Sequence, residues 1–345
     1  MTHRPASFHR ATRVIALVCV VALVACTDWV IGPEPSTSST AIFDALWSDF
    51  DAHYSFFELK GIDWDSIRTV YRPLAAHASN DAELFETLAG MLAELHDVHV
   101  TLNGPDESYH WDPPYRIDFD STIAFTRYVI DAHHSPSGHL HYGRCMLDST
   151  VGYIAIPMFT DAGWTHEIDD VLDSLAGVRA IVIDVRGNGG GDTQNAVNIA
   201  SRFADSARTF AYVRYRNGPR HSDFTPDIPE TVAPAGARRF TGPVVVLTNR
   251  QVFSAAEEFV LAMHALPTVT TLGDTTGGGS GNPLVRELPN GWTYQISQWI
   301  EYTPQGRTFE GVGLAPDTAI PVFPQDRSRG IDRQLRSAVR RLSPG

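Results

Sequence analysis

Lysine is almost missing from this chain. Of its 27 basic residues one is a lysine, Lys60, and the rest are arginines. A Walker-type phosphate loop needs a Gly-Lys pair behind a glycine-rich run, and no such run precedes Lys60. The lysine-dependent signatures of protein kinases and of Ser-x-x-Lys acyl enzymes fail on the same ground. Positive charge is scarce overall, since 40 acids against those 27 bases give a net charge of −13. Nucleic acid is therefore excluded as the main partner, because phosphate neutralisation needs clustered positive charge. Cysteine is equally sparse: Cys19, Cys26 and Cys145 lack the paired spacing of a zinc site. No apolar run reaches the ~20 residues that a membrane-spanning helix requires.

What is present begins with an address. Residues 1–13 carry Arg4, Arg10 and Arg13 and no acid, and residues 14–25 form an unbroken apolar run of 12. That is the pattern of a secretory signal. The run ends Leu23-Val24-Ala25-Cys26, which resembles a bacterial lipobox, with Cys26 as the lipidated first residue of the mature chain. Residues 1–25 thus read as a lipoprotein signal peptide, and residues 26–40, polar and proline-bearing, as a flexible tether. Loss of the three arginines takes the net charge to −16. With Cys19 removed and Cys26 acylated, Cys145 has no partner for a disulfide and reads as a packed strand residue. The expectation is an exported lipoprotein held to the membrane by its lipid, in the periplasm or at the outer membrane or cell surface. Thr27 after Cys26 favours outer-membrane sorting.

Apolar residues at 43% and charged residues at 19% suffice for a large core. Residues 41–103 read as a helical subdomain. Ile42, Leu46, Phe50 and Tyr54 recur at helical spacing, as do Leu84, Leu88, Met91 and Leu95, with Asn80-Asp81 as a cap. Residues 104–150 read as a short connecting region that closes on a hairpin turning at 148–150. Residues 151–325 alternate strands with helices. Buried strands are expected at 179–185 and 244–248, helices near 166–175, 194–203 and 254–266, and further strands near 269–273 and 292–302. The fold class is α/β, closed by a C-terminal helix or tail at 326–345.

Three features could carry chemistry. Ser254 sits where a buried strand gives way to a helix, a position that suits either an N-cap or a nucleophile. The run Gly187-Asn188-Gly189-Gly190-Gly191 can aim several backbone N–H groups at one oxyanion, or simply make a tight turn. His96 and His99 are candidate general bases or a metal-binding pair, although no third ligand is evident. His133, His134, His139 and His141 form a second cluster, and no metal is assigned to either.

Five ordered segments make the set specific: residues 151–157, 183–191, 247–257, 272–278 and 310–317. Together they resemble the tail-specific (C-terminal processing) serine peptidase family. The resemblance implies a helical N-terminal subdomain before a crotonase/ClpP-like ββα core, serine peptidase activity and no cofactor. One branch of that family uses a Ser-Lys dyad. Its lysine-bearing stretch corresponds to residues 274–279, which contain none, and Lys60 matches no catalytic position. The other branch resembles the tricorn core protease and interphotoreceptor retinoid-binding protein. There the resemblance implies Ser254 as nucleophile, His99 as base in preference to His96, and Glu310 orienting the ring. The N–H groups of Ala255 and of Gly189 or Gly190 would form the oxyanion hole. Residues 104–150 are too few for the PDZ domain common in the dyad branch. The implied substrates are therefore peptides or unfolded segments, bound by adding a strand to a sheet edge. Two other readings stand beside this one: a binding protein for peptides or small hydrophobic ligands on the same scaffold, and a metal-dependent hydrolase. The oligomeric state is left open.

Overall fold

The computed structural model describes residues 36–115 and 119–343, so Cys26, the signal and most of the tether lie outside it. Four helices come first: α1 (Ser39–His53), α2 (Phe57–Lys60), α3 (Trp64–His77) and α4 (Asp81–Ala93). Strands β1 (Thr101–Asn103) and β2 (Ser108–His110), helix α5 (Ser121–Tyr128) and strands β3 (Val129–His134), β4 (His141–Cys145) and β5 (Asp148–Ala155) follow. Next come α6 (Glu167–Ser174), β6 (Ala180–Asp184), α7 (Thr193–Ala200), β7 (Arg208–Tyr215), β8 (Ile228–Val232), β9 (Val244–Thr248) and α8 (Ala255–His264). Strands β10 (Val269–Gly273), β11 (Pro283–Glu287), β12 (Thr293–Ser297), β13 (Trp299–Tyr302) and β14 (Thr318–Ala319) precede α9 (Pro324–Ser328) and α10 (Arg333–Leu342).

The core is a seven-stranded sheet in the order β14-β10-β9-β6-β5-β4-β3. Neighbours from β14 to β5 are parallel, and β4 and β3 add antiparallel. All residues of β6 and β9 are buried, as strands covered on both faces must be. One face packs on α6, α7 and α8 through residues such as Ile168, Ile199 and Phe259. The other packs on Leu335, Ala338 and Val339 of α10.

The helical subdomain builds its own core from Phe43, Leu46, Phe50, Trp64 and Leu88. Ser38 caps α1 by accepting from the Ala41 N–H, and Asn80 caps α4 by accepting from the Glu83 N–H at 2.9 Å. Each such cap is worth ~1 kcal/mol. This core also takes in Trp292, Tyr294 and Ile296, because β12 pairs with β1 in a four-stranded sheet, β11-β12-β1-β2. The N-terminal helices are thereby stitched to chain from the far end of the core, which sets the turn after α4 against the loops that follow β9 and β10.

Three local readings change. The hairpin turns at Met146 and Leu147, with Cys145 opposite Asp148. Asp148 to Thr150 are held in β5 because the Asp148 carboxylate accepts from Thr150, Arg179 and Ser343. The strand expected over 292–302 is two strands in different sheets, β12 and β13, with a break at Gln298. Strands β7 and β8, not expected from the sequence, make a third sheet with β13 in the order β13-β7-β8.

Candidate active site

Ser254 lies at the junction of the β9 loop and α8, with φ 54° and ψ −133°. It is the N-cap by position, but its hydroxyl makes no capping hydrogen bond. The first turn is served by backbone instead: the Ser254 carbonyl accepts from the Glu257 and Glu258 N–H groups. The left-handed φ puts the chain in a strained conformation that frees the hydroxyl.

The glycine loop after β6 closes on this residue. Asn188 is fully buried; its amide nitrogen donates to the Ile156 carbonyl and its backbone carbonyl accepts from the Phe253 N–H at 3.1 Å. Gly190 has φ +105°, and a Cβ built on it would sit 2.7 Å from the Ser254 Cβ, so only glycine permits this approach. Its N–H is already committed to the Asn188 side-chain oxygen at 2.9 Å. That removes Gly190 as an oxyanion donor. The N–H groups of Gly189 and Ala255 have no acceptor among the described residues and remain available.

The segment 277–280 is the hub, and its role was not evident from the sequence. The Gly279 carbonyl accepts from the Ser254 N–H at 2.9 Å. The N–H groups of Gly278 and Gly279 donate to the buried Glu257 carboxylate at 2.9 and 2.8 Å. A Cβ on Gly279 would lie 3.6 Å from Cε1 of His99. Ser280 donates from both N–H and hydroxyl to Oε2 of Glu310, at 2.9 and 3.1 Å.

The two histidines of the α4–β1 turn face differently. His96 is exposed, adopts φ 45° and packs on Trp111 with ring centroids 4.4 Å apart at an interplanar angle of 56°. His99 is partly buried, its backbone N–H held by Asp97 at 2.8 Å, and its Nδ1 is buried without a hydrogen-bond partner. Burial lowers the proton affinity of His99 below that of a free imidazole, with Asp97 and the Ser280 backbone opposing and Lys60 reinforcing the effect. The ring is therefore neutral near pH 7, as a general base must be.

Glu310 does not bond His99 directly. Its Oε2 goes to Ser280 and its Oε1 pairs with Lys60 Nζ at 3.0 Å. Burial, reinforced by the Asp97 charge, pushes its carboxyl up to about 8. The single lysine, which matches no catalytic position in sequence, is thus a neighbour of the site. A cavity of 420 Å³ opens beside it, lined by Lys60, Leu95, His96, Trp111, Tyr115 and Glu310 among others.

The remaining candidates lie elsewhere. His134 and His141 meet edge to face at 4.3 Å, and His139 stacks on Trp164 and bonds Asp161. Among the described residues no group of three or more His, Cys, Asp or Glu side chains converges as a metal site. Cys145 is buried and unpaired, and burial pushes its thiol up to about 12.

On the α8 side of the site two more acids, Glu258 and Glu301, are buried close to the half-buried Glu230, with no ion-pair partner among the described residues. Glu258 and Glu301 each leave one carboxylate oxygen with no partner. Burial pushes Glu258 up to about 7, and pushes Glu301 well above and Glu230 above the ordinary carboxyl range. A proton affinity raised in the folded state gives stability that is present below the unfolded value of 4.5 and lost as pH climbs through about 7. Glu301→Gln should flatten this loss and stabilise the fold at pH 8 by ~1–3 kcal/mol. Urea unfolding at pH 5 and pH 8 reads it directly, and equal losses in both proteins would refute it.

Comparison with known proteins places this geometry in a family. The model of peptidase family S41 matches residues 150–320, and that of the tricorn protease C1 domain matches residues 35–93. A crystal structure of a "putative peptidase" from Parabacteroides merdae superposes with a TM-score of 0.81 at 33% identity, over 90% of this chain and 98% of that one. The carboxy-terminal processing protease CtpA of Bacillus subtilis is 30% identical over 175 residues, 50% of this chain and 35% of that protein. Tricorn protease homolog 1 of Streptomyces coelicolor is 23% identical over 393 residues, 89% of this chain and 35% of that protein. The chain belongs to peptidase family S41, a serine peptidase family. It spans about a third of the length of these two curated relatives.

Proposed function

We propose that the protein is an exported, lipid-anchored serine peptidase that cleaves peptides or unfolded protein segments through an acyl-enzyme. The observation that carries this reading is the state of Ser254: a strained, uncapping serine at a helix N-terminus, flanked by two unused N–H groups. His99 takes the Ser254 proton and later returns it to the leaving amine. The Ala255 and Gly189 N–H groups hold the oxyanion, and the positive end of α8 adds to them. Glu310 supports the histidine through Ser280. Edge strand β11, which begins just after the Ser280 segment, offers backbone groups on which an extended substrate can pair. Residues 119–145 are built into the core sheet and its flanking helix, so substrate recognition falls to the cleft itself. The lipid anchor rests on the Cys26 motif, and among the described residues no helix is long and apolar enough to cross a membrane.

A fluorophosphonate probe tests the chemistry. The expected result is one covalent adduct, mapped by mass spectrometry to Ser254. Hydrolysis of a peptide panel without any adduct would remove the serine mechanism, and neither adduct nor hydrolysis would favour the binding-protein reading.

A further inference from the structure

Lys60 joins the turn after α4 to the buried Glu310. Its Nζ lies 3.0 Å from Oε1 of the buried Glu310 and 4.0 Å from Oδ2 of the buried Asp97. The same ammonium donates to the Leu95 and His96 carbonyls at 3.2 Å each, in the turn that carries His99. Its side chain is 16% exposed, so the charge is largely withdrawn from water. Glu310 spends its other oxygen on both donors of Ser280. Ser280 adjoins the Gly279 carbonyl that fixes the Ser254 backbone, and it lies against the His99 ring. A chain of contacts therefore runs from Lys60 to Glu310, to Ser280, and on to both His99 and Ser254.

We infer that Lys60 is a positioning residue of the peptidase: its charge favours the ionised form of Glu310, the form that clamps Ser280 and so sets the geometry of Ser254 and His99. The inference rests on the serine peptidase reading above. Its physical basis is the isolation of the carboxylate. Glu310 faces Asp97, Tyr54 and Lys60, with His96 and Glu94 on the wall of the adjoining cavity. Lys60 is the one of these that carries a fixed positive charge. Without it, an acidic side chain buried beside another acid takes up a proton. A protonated Glu310 has lost the charge-assisted strength of its two bonds from Ser280, and the clamp loosens.

The sign follows. Glu310, at about 8 with Lys60 in place, must lose its proton for the clamp to form, so activity rises as pH climbs through that value. Loss of the ammonium raises the proton affinity further and moves the rise to higher pH.

The test is the rate of fluorophosphonate labelling of the full-length protein against pH, for wild type, Lys60→Arg and Lys60→Gln. Glutamine can still donate to the Leu95 and His96 carbonyls but carries no charge; arginine keeps the charge. The expected result is a midpoint shifted upward by about one to three pH units in Lys60→Gln, the usual influence of an opposite charge at this range, with Lys60→Arg near wild type. In a Glu310→Gln background the Lys60→Gln change should cause no further shift. A wild-type midpoint in Lys60→Gln, or equal slowing at every pH, would overturn the inference and leave Lys60 a tie between loops. Absence of labelling in wild type at every pH would instead overturn the peptidase reading beneath it.

Discussion

Ser254→Ala should lower kcat/KM by about 10⁴–10⁶-fold and leave the fold unchanged, the usual consequence of removing a nucleophile from a cooperating set. The structural cost is small because the hydroxyl makes no hydrogen bond that holds α8 in place. Helix capping passes through the Ser254 carbonyl, which alanine keeps. The strain at φ 54° also stays, since alanine and serine share the same backbone limits. Ser254→Gly then separates function from stability. Glycine accepts positive φ without penalty, so this variant should be as inactive as alanine yet more stable, by up to ~1–3 kcal/mol of relieved backbone strain. Thermal denaturation and peptide hydrolysis on the same two samples decide the matter. A capping serine would give the opposite pattern, with both variants destabilised and activity nearly intact.

The contrast with an ordinary N-cap shows where sequence was informative. A serine between a β-branched run and an apolar helix, with a glycine run elsewhere, marks the strand ends of an α/β sheet, and both lie at that end of the core. Local pattern sufficed there because β6, β9 and α8 are buried almost throughout. It was blind to Lys60, Asp97, Ser280 and Glu257. Lys60, Asp97 and Ser280 gain their roles only when β1 and β12 bring the helical subdomain against the loops after β9 and β10, and Glu257 gains its role when the 276–279 loop folds over the start of α8. The glycine loop was read as a source of donors, but which N–H is free depends on the Asn188 side chain, which no spacing rule reveals. The same holds for strands β7 and β8, whose sheet is defined by pairing with the distant β13. Glu310 entered as the residue that the resemblance implies to orient the histidine, but its partners in the structure are Ser280 and Lys60 instead of the imidazole.

That indirect support makes the two histidines the sharpest comparison. His99→Ala should reduce turnover by about 10²–10⁴-fold, the contribution of a positioned general base, while His96→Ala stays within about twofold of wild type. His96 meets solvent and Trp111, and the atom it lends to the site is its backbone carbonyl, bonded to Lys60 and retained by alanine. His99 instead lies against Gly279 and Ser280, on the same segment that fixes the Ser254 backbone. Burial lowers its proton affinity, so under the proposal above the acid limb of the pH–rate profile should follow Glu310, which burial and Asp97 push up to about 8. In His99→Ala the residual activity should follow hydroxide, because the proposed base is gone. Steady-state rates for both variants between pH 6 and pH 10 read the two effects together. A large loss in His96→Ala with a mild one in His99→Ala would move the base to the exposed face of the turn and break the path from Lys60 to the nucleophile.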